Sequence, residues 1–408
     1  MNIFLLSYKN IVDRPLSSLL SWLLLSFGVC VVVLILQLGD KFKDEVTRNT
    51  SGIDLVIGAK GSPLQIILSS IFHIDFPTGN INLKDIMPFT HNRYIESTIP
   101  LSLGDSYENH RIVGTIRGFG DIYQANLQVG DWFNQPMEAV IGSKVAQELK
   151  LKIGDLFISQ HGLSDEGDDH EDHGFVVVGI LKPTGLVIDQ LILVDLPSIW
   201  MVHNHDEIIE GDSLINIKDW KINLTGSQIA QQQITSLLVT YRSPMAAVML
   251  PNQVNQTTNL QAASPAFEAA RVFSILENVT RIMNFLGLII IVISGISVFI
   301  SLLNSLKDRK YEIAILRSMG ASRMMVFSGI IFEGLMISAL GVFSGFIFGH
   351  LIIEILFREI PGRISTEIAF APGEGLLLIS CLAIGIFASV IPAVMAYKTD
   401  ISKILTQG

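Results

Sequence analysis

At 408 residues, 49% apolar and only 16% charged, the chain is too hydrophobic for an ordinary soluble protein. With a net charge of −10, no nucleic-acid partner is expected. Both cysteines, Cys30 and Cys381, fall inside apolar runs, so no disulfide staples a domain outside those runs.

Residues 1–14 combine apolar Ile3, Phe4, Leu5, Tyr8, Ile11 and Val12 with polar Lys9, Asn10, Asp13 and Arg14. This is the pattern of a cytoplasmic amphipathic lead-in lying in the membrane interface. Residues 15–39 hold no Asp, Glu, Lys or Arg and exceed the roughly 20 residues needed to cross a hydrocarbon core. The run is too long for a signal-peptide core and no A-x-A-like site follows, so an uncleaved transmembrane helix is expected. Residues 40–281 then have the composition of a soluble domain. Short β-branched runs at 54–57, 110–116, 175–181, 191–194 and 236–241 predict strands. Residues 143–150, directly after the apolar run 138–141, predict a helix closed by a turn at Gly154-Asp155. Residues 266–281 repeat Phe267, Ala270, Phe273, Leu276 and Val279 at helical spacing and meet no breaker before the uncharged run 282–306. A loop at 307–323 follows, then 324–353 with Glu333 as its only acid, a loop at 354–374, the uncharged run 375–397 and a tail at 398–408. The fold class is an α+β membrane protein. Four transmembrane helices, one plus three, flank a large extracytoplasmic mixed α/β domain of two subdomains between the first and second.

Charge sets the expected topology. Residues 40–281 carry 29 acids against 17 bases, whereas 1–14, 307–323 and 398–408 together carry nine bases against four acids. Bases gather in short cytoplasmic loops, so both termini and the 307–323 loop are expected inside and the large domain outside, in the periplasm.

No nucleotide-binding or catalytic motif is present. In Gly58-Ala59-Lys60-Gly61-Ser62 the Lys precedes the second Gly, which a P-loop does not allow, and neither H-E-x-x-H nor G-x-S-x-G occurs. The chain is therefore not expected to be an enzyme, and no catalytic residue is assigned.

Mechanism concentrates in the 307–323 loop. Ile313, Leu316 and Met319, with Ile315 alongside, form an apolar stripe among Arg309, Glu312 and Arg317, and Gly320 is placed to end the helix. Arg309, Glu312, Ile313, Arg317, Gly320 and Ala321 match the pattern R-x-x-E-I-x-x-x-R-x-x-G-A. In this the segment resembles the cytoplasmic coupling segment of FtsX/MacB-type ABC transporter permeases. Phe332-Glu333-Gly334-Leu335, Pro392-Ala393-Val394-Met395-Ala396 with Asp400, and Val140-Ile141-Gly142-Ser143 fit the same family, although Ile401 replaces its usual Pro. The resemblance implies a permease subunit with a MacB-like periplasmic core domain in the bacterial inner membrane. It also implies a separate ABC ATPase that carries ATP and Mg, a second copy of the chain or a paralogous permease, and a periplasmic protein partner. Mechanotransmission to the outer face would serve export, lipoprotein release or control of a cell-wall hydrolase.

Three further features stand beside this motif. Gly341, Gly345 and Gly349 recur every four residues, which suits close helix approach either within the chain or in a dimer. Glu333 is an intramembrane acid near the inner end, within reach of water or of bases such as Arg323, and His350 near the outer end is expected to be interfacial. Finally, Ser164 and residues 165–173 read SDEGDDHEDH. His161, His170 and His173 with Asp169 and Asp172 supply ligands that suit zinc, and His203 and His205 form another pair. The alternatives are a metal-linked transporter and a solvated acidic loop.

Overall fold

The computed structural model describes residues 3–13, 15–161, 169–203, 232–357 and 370–398. Its helices are α1 (Ile3–Val12), α2 (Pro15–Thr50), α3 (Pro63–Ser70), α4 (Leu83–Thr90), α5 (Gly118–Ile122), α6 (Ser143–Leu149), α7 (Leu196–His203), α8 (Pro244–Thr257), α9 (Pro265–Asp308), α10 (Lys310–Ser318), α11 (Arg323–Phe357) and α12 (Glu374–Tyr397). Its strands are β1 (Leu55–Ala59), β2 (Ile81–Asn82), β3 (Ile95–Tyr107), β4 (His110–Thr115), β5 (Leu127–Gly130), β6 (Glu138–Ile141), β7 (Leu156–His161), β8 (Asp169–Leu181), β9 (Ile192–Asp195), β10 (Gln233–Ile234), β11 (Ser236–Tyr241) and β12 (Leu260–Ala263). The chain forms two compact units, a helical one that includes Met1–Phe42 and Ile275–Glu359, and a sheet unit that includes Lys43–Ser274.

Four helices of the described residues, α2, α9, α11 and α12, are long and apolar enough to cross a membrane, with peak mean hydropathies of 2.8, 2.8, 2.0 and 2.5. Pro15 opens α2, where its fixed φ suits a first turn and its missing N–H costs nothing. α9 runs unbroken for 44 residues, about 66 Å at the α-helical rise, so the periodic stretch 266–281 and the apolar run 282–306 are one rod.

Packing in the helical unit follows from small residues, because lipid supplies no hydrophobic drive between helices. A Cβ on Gly341 would lie 2.9 Å from Leu25 Cδ2, one on Gly345 2.9 Å from Val29 Cβ, and one on Gly349 2.7 Å from Val33 Cγ1. The glycine face of α11 is thus filled by α2 within this chain. Serines add polar rungs: Ser17 Oγ donates to Ser301 Oγ at 2.7 Å, and Ser344 Oγ receives Trp22 Nε1 at 2.9 Å and donates to Ser26 Oγ at 3.1 Å. Leu25, Val29, Val33, Ile291, Val342 and Cys381 form the apolar centre between these rungs.

The sheet unit is built on one large mixed sheet in the order β12-β1-β11-β3-β4-β9-β6-β8-β5, with β7 pairing both β3 and β8. β3 carries its two halves. Its first part pairs β11 (Ile99↔Leu238) and its second pairs β4 (Leu103↔Val113), so the two expected subdomains share a strand. Beyond β4 the ladder becomes mixed, with β4–β9 and β6–β8 parallel. The apolar residues of the sheet bury Leu55, Ile57, Leu237 and Val239 at one end and Ile112, Ile141, Phe175 and Ile192 at the other. Phe119, Leu193 and Leu238 belong to a third cluster that draws on both. The end of α2 is tied into this unit, since Asn49 Oδ1 accepts from Val187 N at 2.8 Å and Arg48 Nη2 donates to the Thr184 carbonyl.

Candidate functional site

The α10 segment joins α9 to α11 within the helical unit. Arg309 precedes the helix and its Nε donates to Glu312 Oε2 at 3.1 Å, an i,i+3 pair at the end where the helix dipole favours an acid. Gly320 closes the helix at φ 102°, a left-handed conformation that glycine adopts without strain, and Ala321 N reaches back to the Leu316 carbonyl at 3.1 Å. Ser322 Oγ then accepts from Met325 N and starts α11.

The apolar stripe divides in two. Ile313 and Ala314 are buried, and Ile313 packs with Leu306, Val326, Ile330 and Ala396. Leu316 is half-buried, whereas Met319 is 79% exposed and Tyr311, Ile315 and Glu312 also face outward. The apolar residues of the segment therefore differ in placement: Ile313 packs among the spans, and Tyr311, Ile315 and Met319 form an outward apolar face. Tyr311 was not among the residues singled out from sequence, because its side chain follows a basic pair rather than the apolar spacing.

Behind α10 lies a cavity of about 50 Å³, lined among others by Asn10, Ser305, Arg309, Leu316, Gly329 and Glu333. Glu333 is 5% exposed, and Asn10 Nδ2 of α1 donates to its Oε2 at 3.4 Å. Ser7, also of α1, donates to the Gly329 carbonyl at 3.2 Å, and Ile11 packs on Val298, Leu302 and Ile337. The expected interfacial lead-in is a helix that meets the bundle through Ser7, Asn10 and Ile11, leaving Tyr8, Lys9 and Val12 exposed. Arg323, expected as a base near Glu333, instead lies over the Tyr397 ring, 6.0 Å from its centroid.

A second polar cluster joins α2, α11 and α12. Glu374 is fully buried; Gln37 Nε2 donates to its Oε1 at 2.7 Å, and His350 Nε2 lies 3.3 Å from its Oε2. His350 also packs on Phe346, with ring centroids 4.3 Å apart. His350, expected near the outer interface, is half-buried and meets the carboxylate that the start of α12 supplies. Sequence reading missed Glu374 because it sits at the edge of the uncharged run and looked like part of a loop.

In the sheet unit, buried ionisable groups cluster around α7. Asp195 ends β9 and accepts from both Ser198 N and Ser198 Oγ at the start of the helix. Burial raises its pKa to about 6. At the other end of α7, His203 Nε2 lies 3.1 Å from Asp105 Oδ2, and that hydrogen bond raises the His203 pKa. Elsewhere, His73 is buried beside the Arg111 guanidinium, and burial first, then the cation, lower its pKa to about 3. Of the histidine-acid run, His161, Asp169, His170, Asp172 and His173 lie on the β7 and β8 backbone, and their side chains fall outside the described residues, as does His205. Among the described residues no group of three or more His, Cys, Asp or Glu is arranged to hold a metal ion.

Comparison with known proteins agrees with this architecture. Residues 18–257 match the model of the MacB-like periplasmic core domain, and residues 284–401 match that of the FtsX-like permease C-terminal region. Among solved structures, the chain is similar to the periplasmic region of MacB from Actinobacillus actinomycetemcomitans, at 11% identity and TM-score 0.34, covering 56% of this chain and 97% of that one. It is also similar to the extracellular domain of the noncanonic ABC-type transporter YknZ from Gram-positive bacteria, at 16% identity and TM-score 0.29, covering 52% and 99%. No curated protein matches the sequence.

Proposed function

The chain belongs to the FtsX/MacB-type ABC transporter permeases, and on that premise we propose that it is the membrane subunit of a bacterial inner-membrane transporter working by mechanotransmission. A separate ABC ATPase binds ATP and Mg, docks on the exposed face of α10 from the cytoplasm, and moves that helix as its two nucleotide sites close. Two sites imply two ATPases and, most simply, two copies of this permease. The α9 rod carries the motion to a periplasmic sheet domain, which handles a lipoprotein, peptide or small molecule together with a periplasmic partner.

The observation that carries this reading is the division of labour in α10. Ile313 is buried among the spans, while Met319, Ile315 and Tyr311 are presented outward beside Glu312. An outward apolar face set beside charged groups supports the docking of a partner there. The basic loops 1–14, 307–323 and 398–408 support a cytoplasmic placement of this end.

Co-purification tests it. Met319→Asp, in a chain that still inserts and migrates as wild type, is expected to lose its ATPase. Full retention of the ATPase by both Met319→Asp and Ile315→Asp would refute the docking face. Cysteine labelling of intact cells tests the topology, with an introduced cysteine at Gln128 expected to react from outside and one at Met319 to react only after permeabilisation.

A further inference from the structure

The cavity behind α10 is bordered by two opposite charges. Among the described residues that line it, Arg309 is the only base and Glu333 the only acid; the others are apolar, small or uncharged polar. Its volume of about 50 Å³ has room for roughly three to five waters, well below the about 150 Å³ of a cavity that takes benzene. A ring-sized organic ligand is too large for it. A guanidinium head is not, and one stands at its wall.

The Arg309 guanidinium is turned the other way, with Nε donating to Glu312 Oε2 at 3.1 Å, and the Glu312 side chain is 64% exposed. A pair so open to water contributes little, because solvent screens it and two long side chains must be held still. Glu333 is 5% exposed, and Asn10 Nδ2 reaches it only at 3.4 Å and as a neutral donor. A guanidinium would offer that carboxyl two parallel, charge-assisted N–H donors. Moving Arg309 inward sets the desolvation of its charge against this stronger pair, and that near-cancellation lets whatever covers Glu312 decide the placement. The backbone provides the joint. Arg309 separates α9 from α10 at φ −106° and ψ 8°, outside the helical region, so one local change both re-aims its side chain and tilts α10.

We propose that the cavity is an inward seat for the Arg309 guanidinium, which exchanges Glu312 outside for Glu333 inside as α10 tilts toward the spans. Glu333 is then a positioning residue that acts through Arg309. The inward pair ties the start of α10 to α11 and, through Asn10, to α1. The trigger, a docked ATPase that engages Glu312, rests on the function proposed above; the exchange itself does not.

Carbodiimide coupling of the full chain in detergent tests the exchange. Arg309→Lys keeps the charge and supplies an amine that an apolar carbodiimide joins to a carboxyl in contact with it. Mass spectrometry of the peptides then tells Glu312 from Glu333. With Arg309→Lys alone the link is expected at Glu312. Adding Glu312→Gln should raise the link to Glu333 at least about fivefold, and adding Glu333→Gln as well should abolish it. Size-exclusion chromatography confirms that each variant is folded. No link to Glu333 in the Glu312→Gln background, or one equally strong with Glu312 present, would overturn the exchange. With the co-purified ATPase bound, ATP and Mg should move the link from Glu312 to Glu333. A link that responds to Glu312→Gln but not to ATP would overturn the ATPase trigger and leave the exchange standing.

Discussion

Replacing Asp195 with Asn is expected to flatten the pH dependence of the β9–α7 corner. Asp195 is fully buried; one carboxylate oxygen accepts from Ser198 and the other, Oδ2, has no hydrogen-bond partner among the described residues. Burial outweighs the Ser198 bonds and raises the pKa from 3.8 to about 6. An acid whose pKa is raised on folding binds its proton more tightly in the native state, so stability falls as pH rises from about 4 to about 6. The whole shift is worth roughly 3 kcal/mol, and about half of it, roughly 1.4 kcal/mol or tenfold in local opening, is lost between pH 5 and pH 8. Asn keeps an amide oxygen for Ser198 and cannot ionise. Hydrogen exchange on the full chain in detergent, followed in peptides covering residues 192–203 and corrected for intrinsic rates, reads this directly. Wild type should open about tenfold more at pH 8 than the Asn variant does, after both are normalised at pH 5. What pH dependence remains in the variant belongs to His203. The Asp105 bond raises the His203 pKa, so its contribution is present below its ordinary value and lost as pH rises through the raised one. Identical profiles for the two proteins would refute the reasoning.

Other outcomes follow from the helical unit. Gly345→Leu, which forces a side chain into Val29 and the Ser26 backbone, should cost about 1–3 kcal/mol or more and lower the melting temperature in detergent. Gly329→Ala, where a Cβ meets nothing within 4 Å, should be neutral or slightly stabilising, and equal losses in both would contradict the α2–α11 packing. Glu374→Ala removes the carboxylate that Gln37 Nε2 and His350 Nε2 approach and should cost on the order of 1–3 kcal/mol, read by fluorescence-detected chromatography after heating; an unchanged melt would rule out a structural role for the cluster. Ile313→Asp should abolish accumulation of the folded permease rather than only its ATPase binding, and a well-folded Ile313→Asp protein would contradict its burial.

Much of this architecture could be read from residues because it depends on short-range patterns. The four apolar helices follow from missing charge. The runs 110–116, 191–194 and 236–241 appear as β4, β9 and β11, and the predicted helix 143–150 as α6, closed by Lys150 at φ 56°. β3 was not foreseen. Its Pro100 and Gly104 suggest turns, yet both are carried within a long strand because neighbours pair it on either side. The functional residues divide along the same line. The α10 pattern and its Gly320 stop are local and were legible. Which of its apolar residues face outward was not, because Ile313 and Ile315 are equally hydrophobic and only the surrounding helices separate them. The Asp105–His203 contact spans 98 residues and left no local signal on Asp105.

The filled glycine face of α11 also constrains how two permeases can meet. Once Leu25, Val29 and Val33 occupy Gly341, Gly345 and Gly349, no small-residue groove on that face is left for a second copy. A lateral seam along α11 would have to run over bulky, outward Leu340, Phe343 and Ile347, which acyl chains solvate about as well as another helix does. A pair built that way slides easily within the bilayer and takes its alignment from what grips it at the two ends.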